Sequence, residues 1–184
     1  LCRRLSDYVN GNKTAFSIVR IPTEEEEKLK AQNRLREQVK KTRQRIQAQG
    51  RSLLLMSGIQ VRGRWWKGKT WYEIEKEAPH WVIDALKHMI DLVLPVEAKE
   101  AELTKELEDS VKEQELPYGF GKLTYAQLER EIMDWGRFNN RRQVSSYTGL
   151  CPREYSSGST RIQGSVNKHG NPNVRAALVE LSWR

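Results

Sequence analysis

The sequence has 184 residues, 38% of them hydrophobic and 30% charged, which is room for one ordinary domain or two small ones and too apolar for outright disorder. No apolar run is long enough to span a bilayer as a helix, so no membrane partner is expected. A net charge of +8 points to a polyanion, nucleic acid before a membrane surface, against the plainer alternative of a merely basic exterior.

Leu1-Cys2-Arg3-Arg4-Leu5 reads as the middle of a helix, so the chain is expected to be a fragment. A polar turn at Asn10-Gly11-Asn12 and an apolar patch from Phe16 to Ile21 follow. Pro22-Thr23 and the acids Glu24 to Glu27 predict a helix start, because Thr23 can cap and acids favour the positive end of the helix dipole. That helix should run to about Met56. Leu35, Val39, Thr42, Ile46, Gln49 and Leu53 follow heptad spacing along it, with two polar members.

Residues 57–79 interrupt the pattern. Gly58, Gly63 and Gly68 punctuate a cluster of Arg62, Arg64, Trp65, Trp66, Lys67, Lys69, Trp71 and Tyr72. Aromatics interleaved with cations can stack on bases and hold a phosphate backbone. Burial beneath the helices is the structural alternative, and the two stand about level with a lean towards nucleic acid. A second helix should begin near Pro79. Its heptad seam is Met89, Val93, Val96, Glu100, Leu103, Leu107 and Ser110, and Pro95 is expected to kink or restart it. The pair suggests an antiparallel helical hairpin or an oligomerising coiled coil, with a partnerless helical spacer as the alternative.

Pro117-Tyr118-Gly119-Phe120-Gly121 marks a turn, and Leu123, Leu128 and Ile132 predict an amphipathic helix after it. Asn139 or Asn140 should cap a short helix ending at Gly149. Residues 150–170 read as a loop or short hairpin. Asn171-Pro172 opens a last helix with Val174, Leu178 and Leu181 towards the core. From residue 137 onward there are eight Lys or Arg against Glu154 and Glu180, so the positive charge is concentrated in the last quarter. Cys2 and Cys151 lie far apart and form no pair motif, which argues against a disulfide framework or zinc site and fits a reducing cytoplasm.

A serine before a glycine, as at Ser157-Gly158, is usually a turn residue. His80, His88 and His169 form no ligand cluster. One chemistry suits the surroundings. A serine attacking a phosphodiester needs cations for the pentavalent transition state and an open backbone near the phosphate. Arg153, Arg161, Lys168 and Arg175 could supply the cations. Gly158, Gly164 and Gly170 could open the backbone, and the helix start at Asn171 could bind an anion.

The run Arg137-Phe138, then Ser146 to Gly158, Gly164, Lys168-His169-Gly170-Asn171-Pro172, Arg175 and Leu178 resembles the transposase domain of the insertion sequence 110 (116/902) family. The resemblance covers about the last third of the chain. It implies an RNase H-like domain joined through long coiled-coil helices to a small helical transposase domain with a hairpin-like catalytic loop, and this chain is expected to be a mainly α fragment of that arrangement. Residues 1–21 would be the tail of the first, 22–116 the coiled-coil region with its insert at 57–79, and 117–184 the last. It also implies a composite active site, in which magnesium is held by four acids of the RNase H-like domain and a serine becomes bonded to the DNA phosphate. By position that serine is Ser157, with Ser156 second. Arg153, Arg161, Lys168, Asn171 and Arg175 would be nucleic-acid contacts.

The implied partners are DNA, a structured noncoding bridge RNA and a second copy, with dimers pairing into tetramers. The setting would be the nucleoid in the bacterial cytoplasm. The acidic tetrad is absent from this sequence, so the chain alone should bind nucleic acid without recombining it. The usual Pro-Gly-apolar-Gly turn is one residue longer here, which makes a purely structural turn as good a reading. A non-catalytic nucleic-acid-binding and oligomerisation module is the rival, and an RNA-binding adaptor centred on residues 62–72 is a third.

Overall fold

The computed structural model of the chain describes residues 2–12, 15 and 20–183. Leu1 and most of the apolar patch expected from Phe16 to Ile21 lie outside the described residues. The described chain is mainly helical: α1 (Cys2–Val9), α2 (Glu24–Met56), α3 (Gly68–Glu77), α4 (His80–Asp109), α5 (Lys122–Ile132), α6 (Arg141–Thr148), the strands β1 (Pro152–Ser157) and β2 (Thr160–Val166), and α7 (Pro172–Leu181).

Thr23 starts α2 through a capping box. Its hydroxyl accepts from the Glu26 backbone N–H, and the Glu26 carboxylate accepts from the Thr23 N–H. The helix then pairs antiparallel with α4, since positions rising along α2 meet positions falling along α4. Arg36 Nε donates to Thr104 Oγ1 at 2.9 Å, and one helical turn or two further on Arg43 pairs with Glu100. Ile46 and Leu54 of α2 meet Val82, Leu86 and Val93 of α4 in the main core.

The heptad reading fits α4 better than α2. Val93, Leu103 and Leu107 are buried as the α4 seam requires. On α2 the seam holds at Ile46, which is buried, but is displaced elsewhere: Leu35 is 45% exposed, whereas Asn33, Arg36, Gly50 and Leu54 face inward. The reason is chemical. The first half of the contact is built from polar pairs and the second from a glycine under an indole, so apolar spacing marks the wrong stripe. Pro95 does not interrupt α4, which runs continuously from His80 to Asp109. Proline removes one backbone donor, and at this exposed position water can satisfy the carbonyl left behind.

The insert packs against the helices. Trp65 is fully buried and Trp66 is 5% exposed, with their rings edge to face at a centroid distance of 5.4 Å. The Trp65 indole N–H donates to the Gln47 carbonyl at 3.0 Å, and that of Trp66 to Glu97 Oε2 at 3.2 Å. Within the insert α3 adds Ile74 to the core.

Beyond α4, the turn at Gly119 (φ +83) is closed by a bond from the Phe120 N–H to the Pro117 carbonyl, and Phe120 enters a second core. Helix α5 packs on α2, α4 and α7. Ala126 meets Leu107 and Val111, while Leu128 and Ile132 meet Val174 and Ala177.

Candidate functional site

Strands β1 and β2 form an antiparallel hairpin that stands clear of both cores, with every residue from Pro152 to Val166 exposed. Ser157 pairs with Thr160 at its tip, and Gly158 supplies the positive φ of +59 that the tight turn demands. Directly opposed residues share a face. Ser157, Thr160, Tyr155 and Ile162 therefore lie on one side, and Ser156, Arg161 and Glu154 on the other.

The two candidate serines thus differ in environment. Ser156 Oγ donates to Glu154 Oε1 at 2.8 Å, and the same carboxylate pairs with Arg161 at 3.0 Å. Among the described residues no hydrogen bond engages Ser157 Oγ.

The base of the hairpin is held by backbone contacts between α6 and the start of α7. Gly149 ends α6 in the left-handed conformation (φ +70) and its carbonyl accepts from the Lys168 N–H at 3.0 Å. Gly170 lies against it so closely that a Cβ there would stand 2.2 Å from the Tyr147 carbonyl oxygen. Arg175 Nη1 donates to the Thr148 carbonyl at 2.9 Å and the Lys168 carbonyl at 3.2 Å, so it ties α7 to this junction. Asn171 caps α7, as its sequence context predicts, by accepting from the Asn173 and Val174 N–H groups.

Glu131 sits behind this junction, 5% exposed, and sequence reasoning missed it. Its carboxylate accepts from Asn33 Nδ2 of α2 at 2.9 Å, Asn171 Nδ2 at 2.9 Å and Asn173 Nδ2 at 3.3 Å. A buried carboxylate of α5 surrounded by amide donors joins α2 to the start of α7. The only trace in the sequence was a glutamate on the apolar side of α5.

These contacts sort the expected nucleic-acid residues. Arg153 and Lys168 are exposed at the hairpin base, and Arg161 is exposed on a strand although shared with Glu154. Asn171 and Arg175 differ: both are half-buried and their side chains hydrogen-bond within the junction, so they hold it together whether or not a phosphate approaches. Glu131 also brings a carboxylate to the α7 N-terminus, where an anion was expected to bind. In the insert, the burial of Trp65 and Trp66 corrects their reading as base-stacking residues in favour of the structural alternative. Arg64 and Lys67 meet Glu97 at 2.7 and 3.0 Å. Burial pushes the Glu97 carboxyl up, but donors from Lys67 and Trp66 and the charge of Arg64 outweigh it and hold the group below its usual range. Arg62 and Lys69 are exposed. Arg137 stacks over Phe138 and Tyr147, with its guanidinium 4.7 and 4.3 Å from the ring centroids.

Lys168 adopts φ +59, where glycine is favoured. Lys168→Gly is therefore expected to raise stability by about 0.5–1 kcal/mol in chemical denaturation. It should also weaken nucleic-acid binding and lower the salt slope by about 1. A loss of stability would show that the lysine serves the fold.

Residues 115–184 match the family described as Transposase IS116/IS110/IS902. The chain is similar to the transposase for insertion sequence element IS1328 of Yersinia enterocolitica, with 29% identity over 179 residues, covering 93% of this chain and 54% of that protein. It is also similar to the transposase for insertion sequence element IS1111A of Coxiella burnetii, with 34% identity over 77 residues, covering 42% of this chain and 21% of that protein. The chain spans about half the length of the first of these and less of the other curated relatives it matches. No helix among the described residues is long and apolar enough to cross a membrane.

Proposed function

We propose, from the transposase match over residues 115–184, that this chain is the serine-bearing part of a bacterial DNA transposase in which Ser157 carries a covalent DNA intermediate. The observation that carries the reading is the position of Ser157 at the tip of an exposed, basic hairpin inside the matched region. Its Oγ forms a new ester bond to phosphorus. The departing sugar oxygen leaves with a proton. Attack by a sugar hydroxyl of the second DNA end then breaks the serine ester and restores the serine hydroxyl, so bond energy is conserved through the exchange. Arg153, Lys168 and the exposed edge of Arg161 offset charge on the phosphate.

Magnesium belongs to this reading through the family resemblance. Among the described residues no group of three or more His, Cys, Asp or Glu is placed to hold a metal. In the proposal the carboxylates come from an RNase H-like domain, and a noncoding RNA of the element selects the DNA. The assembly works as a dimer that pairs into a tetramer, in the cytoplasm at the nucleoid. This chain alone binds nucleic acid and does not recombine it, so magnesium-dependent strand transfer by the chain alone would contradict the proposal.

One observation favours a second reading, a non-catalytic binding module: among the described residues none is hydrogen-bonded to the Ser157 hydroxyl. The deciding experiment uses the element's complete transposase with its RNA and a donor DNA carrying a labelled phosphate. A covalent adduct is expected on the peptide containing Ser157, with Ser157→Ala abolishing it. An adduct on Ser156 keeps the chemistry and moves the nucleophile. No adduct in a preparation that binds both nucleic acids favours the binding module.

A further inference from the structure

The helical hairpin is electrostatically two-sided. Between Lys28 and Met56 the only acid in the sequence is Glu37. On the flanks of the α2 contact, Arg36 and Lys40 meet Glu37, Arg43 meets Glu100, and Arg51 donates to the Gly63 carbonyl at 2.8 Å. Arg34, Lys41 and Arg45 take part in none of these contacts. With Gln38 between them and Ala48 and Ser52 beyond, they follow helical spacing along the outward face of α2, and all six are exposed. Among the described residues none of the three cations has an ion-pair partner. On α4 the outward side carries Asp84, Asp91, Glu102, Glu106 and Asp109, all exposed, in excess over the exposed Lys87, Lys99 and Lys105. One long helix therefore presents positive charge to solvent and its antiparallel neighbour presents a net negative charge.

We infer that the outward face of α2, through Arg34, Lys41 and Arg45, docks along the phosphate backbone of a DNA duplex, at a site separate from the serine hairpin. Between residues 34 and 52, apart from the single methyl of Ala48, the stripe contains only cations, an amide and a hydroxyl, the side chains that contact phosphates. The exposed Leu35, Leu55 and Met56 lie beside it or at its end. These apolar side chains sit at its margins, so its centre lacks the apolar or aromatic cluster that a stable protein interface needs. At 1.5 Å per residue, Arg34 and Arg45 stand ~16 Å apart along the helix, about five phosphate steps of one strand. The acidic side of α4 repels the same backbone, so the hairpin can approach a duplex from one side only. The inference shares with the proposed function the premise that this chain handles nucleic acid. Its own support is the segregation of charge.

The test measures binding of the 184-residue chain to a DNA duplex and to an RNA hairpin across a salt series. The variant is Arg34→Gln/Lys41→Gln/Arg45→Gln, checked by circular dichroism for unchanged helicity. The control, Lys87→Gln/Lys99→Gln/Lys105→Gln, makes the same charge change on α4. The α2 variant should lose at least about tenfold in affinity at moderate salt and flatten the salt slope by about 2–3, with the control near wild type. A loss confined to the RNA hairpin, with DNA binding unchanged, would overturn the assignment to DNA. Unchanged slopes in both arms, or equal losses in variant and control, would overturn the inference. So would a variant that alters self-association, read by sedimentation, and leaves nucleic-acid binding intact. None of these outcomes touches the Ser157 adduct, so the two proposals fail separately.

Discussion

Trp65→Ala is expected to lower the stability of the folded chain by about 3–5 kcal/mol, read as a fall in the denaturation midpoint. The indole is completely buried between α2, the neighbouring Trp66 and the ring of Trp71 at 6.3 Å, and its N–H is satisfied by the Gln47 carbonyl. Truncation removes a large apolar area and leaves a cavity that two long helices cannot readily close. The partner position makes the same point from the other side. A Cβ on Gly50 would stand 2.1 Å from Trp65 Cζ2, so Gly50→Ala should cost about 1–3 kcal/mol even though alanine is the better helix former. If the insert instead presented Trp65 to bases, Trp65→Ala would change stability by less than about 0.5 kcal/mol and weaken nucleic-acid binding.

Gly170→Ala should act on the hairpin base. Its Cβ would meet the Tyr147 oxygen, the Thr148 carbonyl carbon and the Gly149 nitrogen at 2.2–2.3 Å, all backbone atoms that cannot rotate away. The end of α6 and the start of α7 would have to separate, at about 3 kcal/mol, the upper part of the usual range for overpacking. The expected signature is local: amide exchange accelerates in β1, β2 and the first turn of α7, while the α2–α4 amides keep their protection. Adduct formation in the complete transposase should fall by about tenfold or more, because the serine is aimed by this junction and small misplacements are costly to reaction geometry. Gly164→Ala is the contrast. Its Cβ would make ordinary contacts of 3.5–3.7 Å with Tyr155 and Arg153, and stability should change by less than about 0.5 kcal/mol. Equal effects from the two substitutions would show that the close approach of Gly149 and Gly170 does not set the hairpin.

The features the sequence determined by itself are those decided within a few residues. Thr23 with Glu26, Asn140 before α6, Gly149 after it and Asn171-Pro172 before α7 each satisfy or release backbone groups locally, so their chemistry marks the helix ends wherever the helices go. Gly158 between two short polar runs likewise marks a turn, and the hairpin places Ser157 at its tip. The concentration of positive charge is a matter of composition.

Tertiary structure decided everything that depends on which surfaces meet. Trp65 among arginines and lysines could face bases or a core, and only the groove left by Gly50 settles it, because that space exists solely when α2 is folded against the insert. The α2 seam could not be read from apolar spacing, since Arg36 with Thr104 and Arg43 with Glu100 bury polar side chains that are stable inside only when paired. Asn171 and Arg175 look like phosphate ligands in one dimension. In three, Glu131 and two backbone carbonyls claim them, because a buried carboxylate and the open carbonyls at a helix end each require donors from elsewhere in the chain.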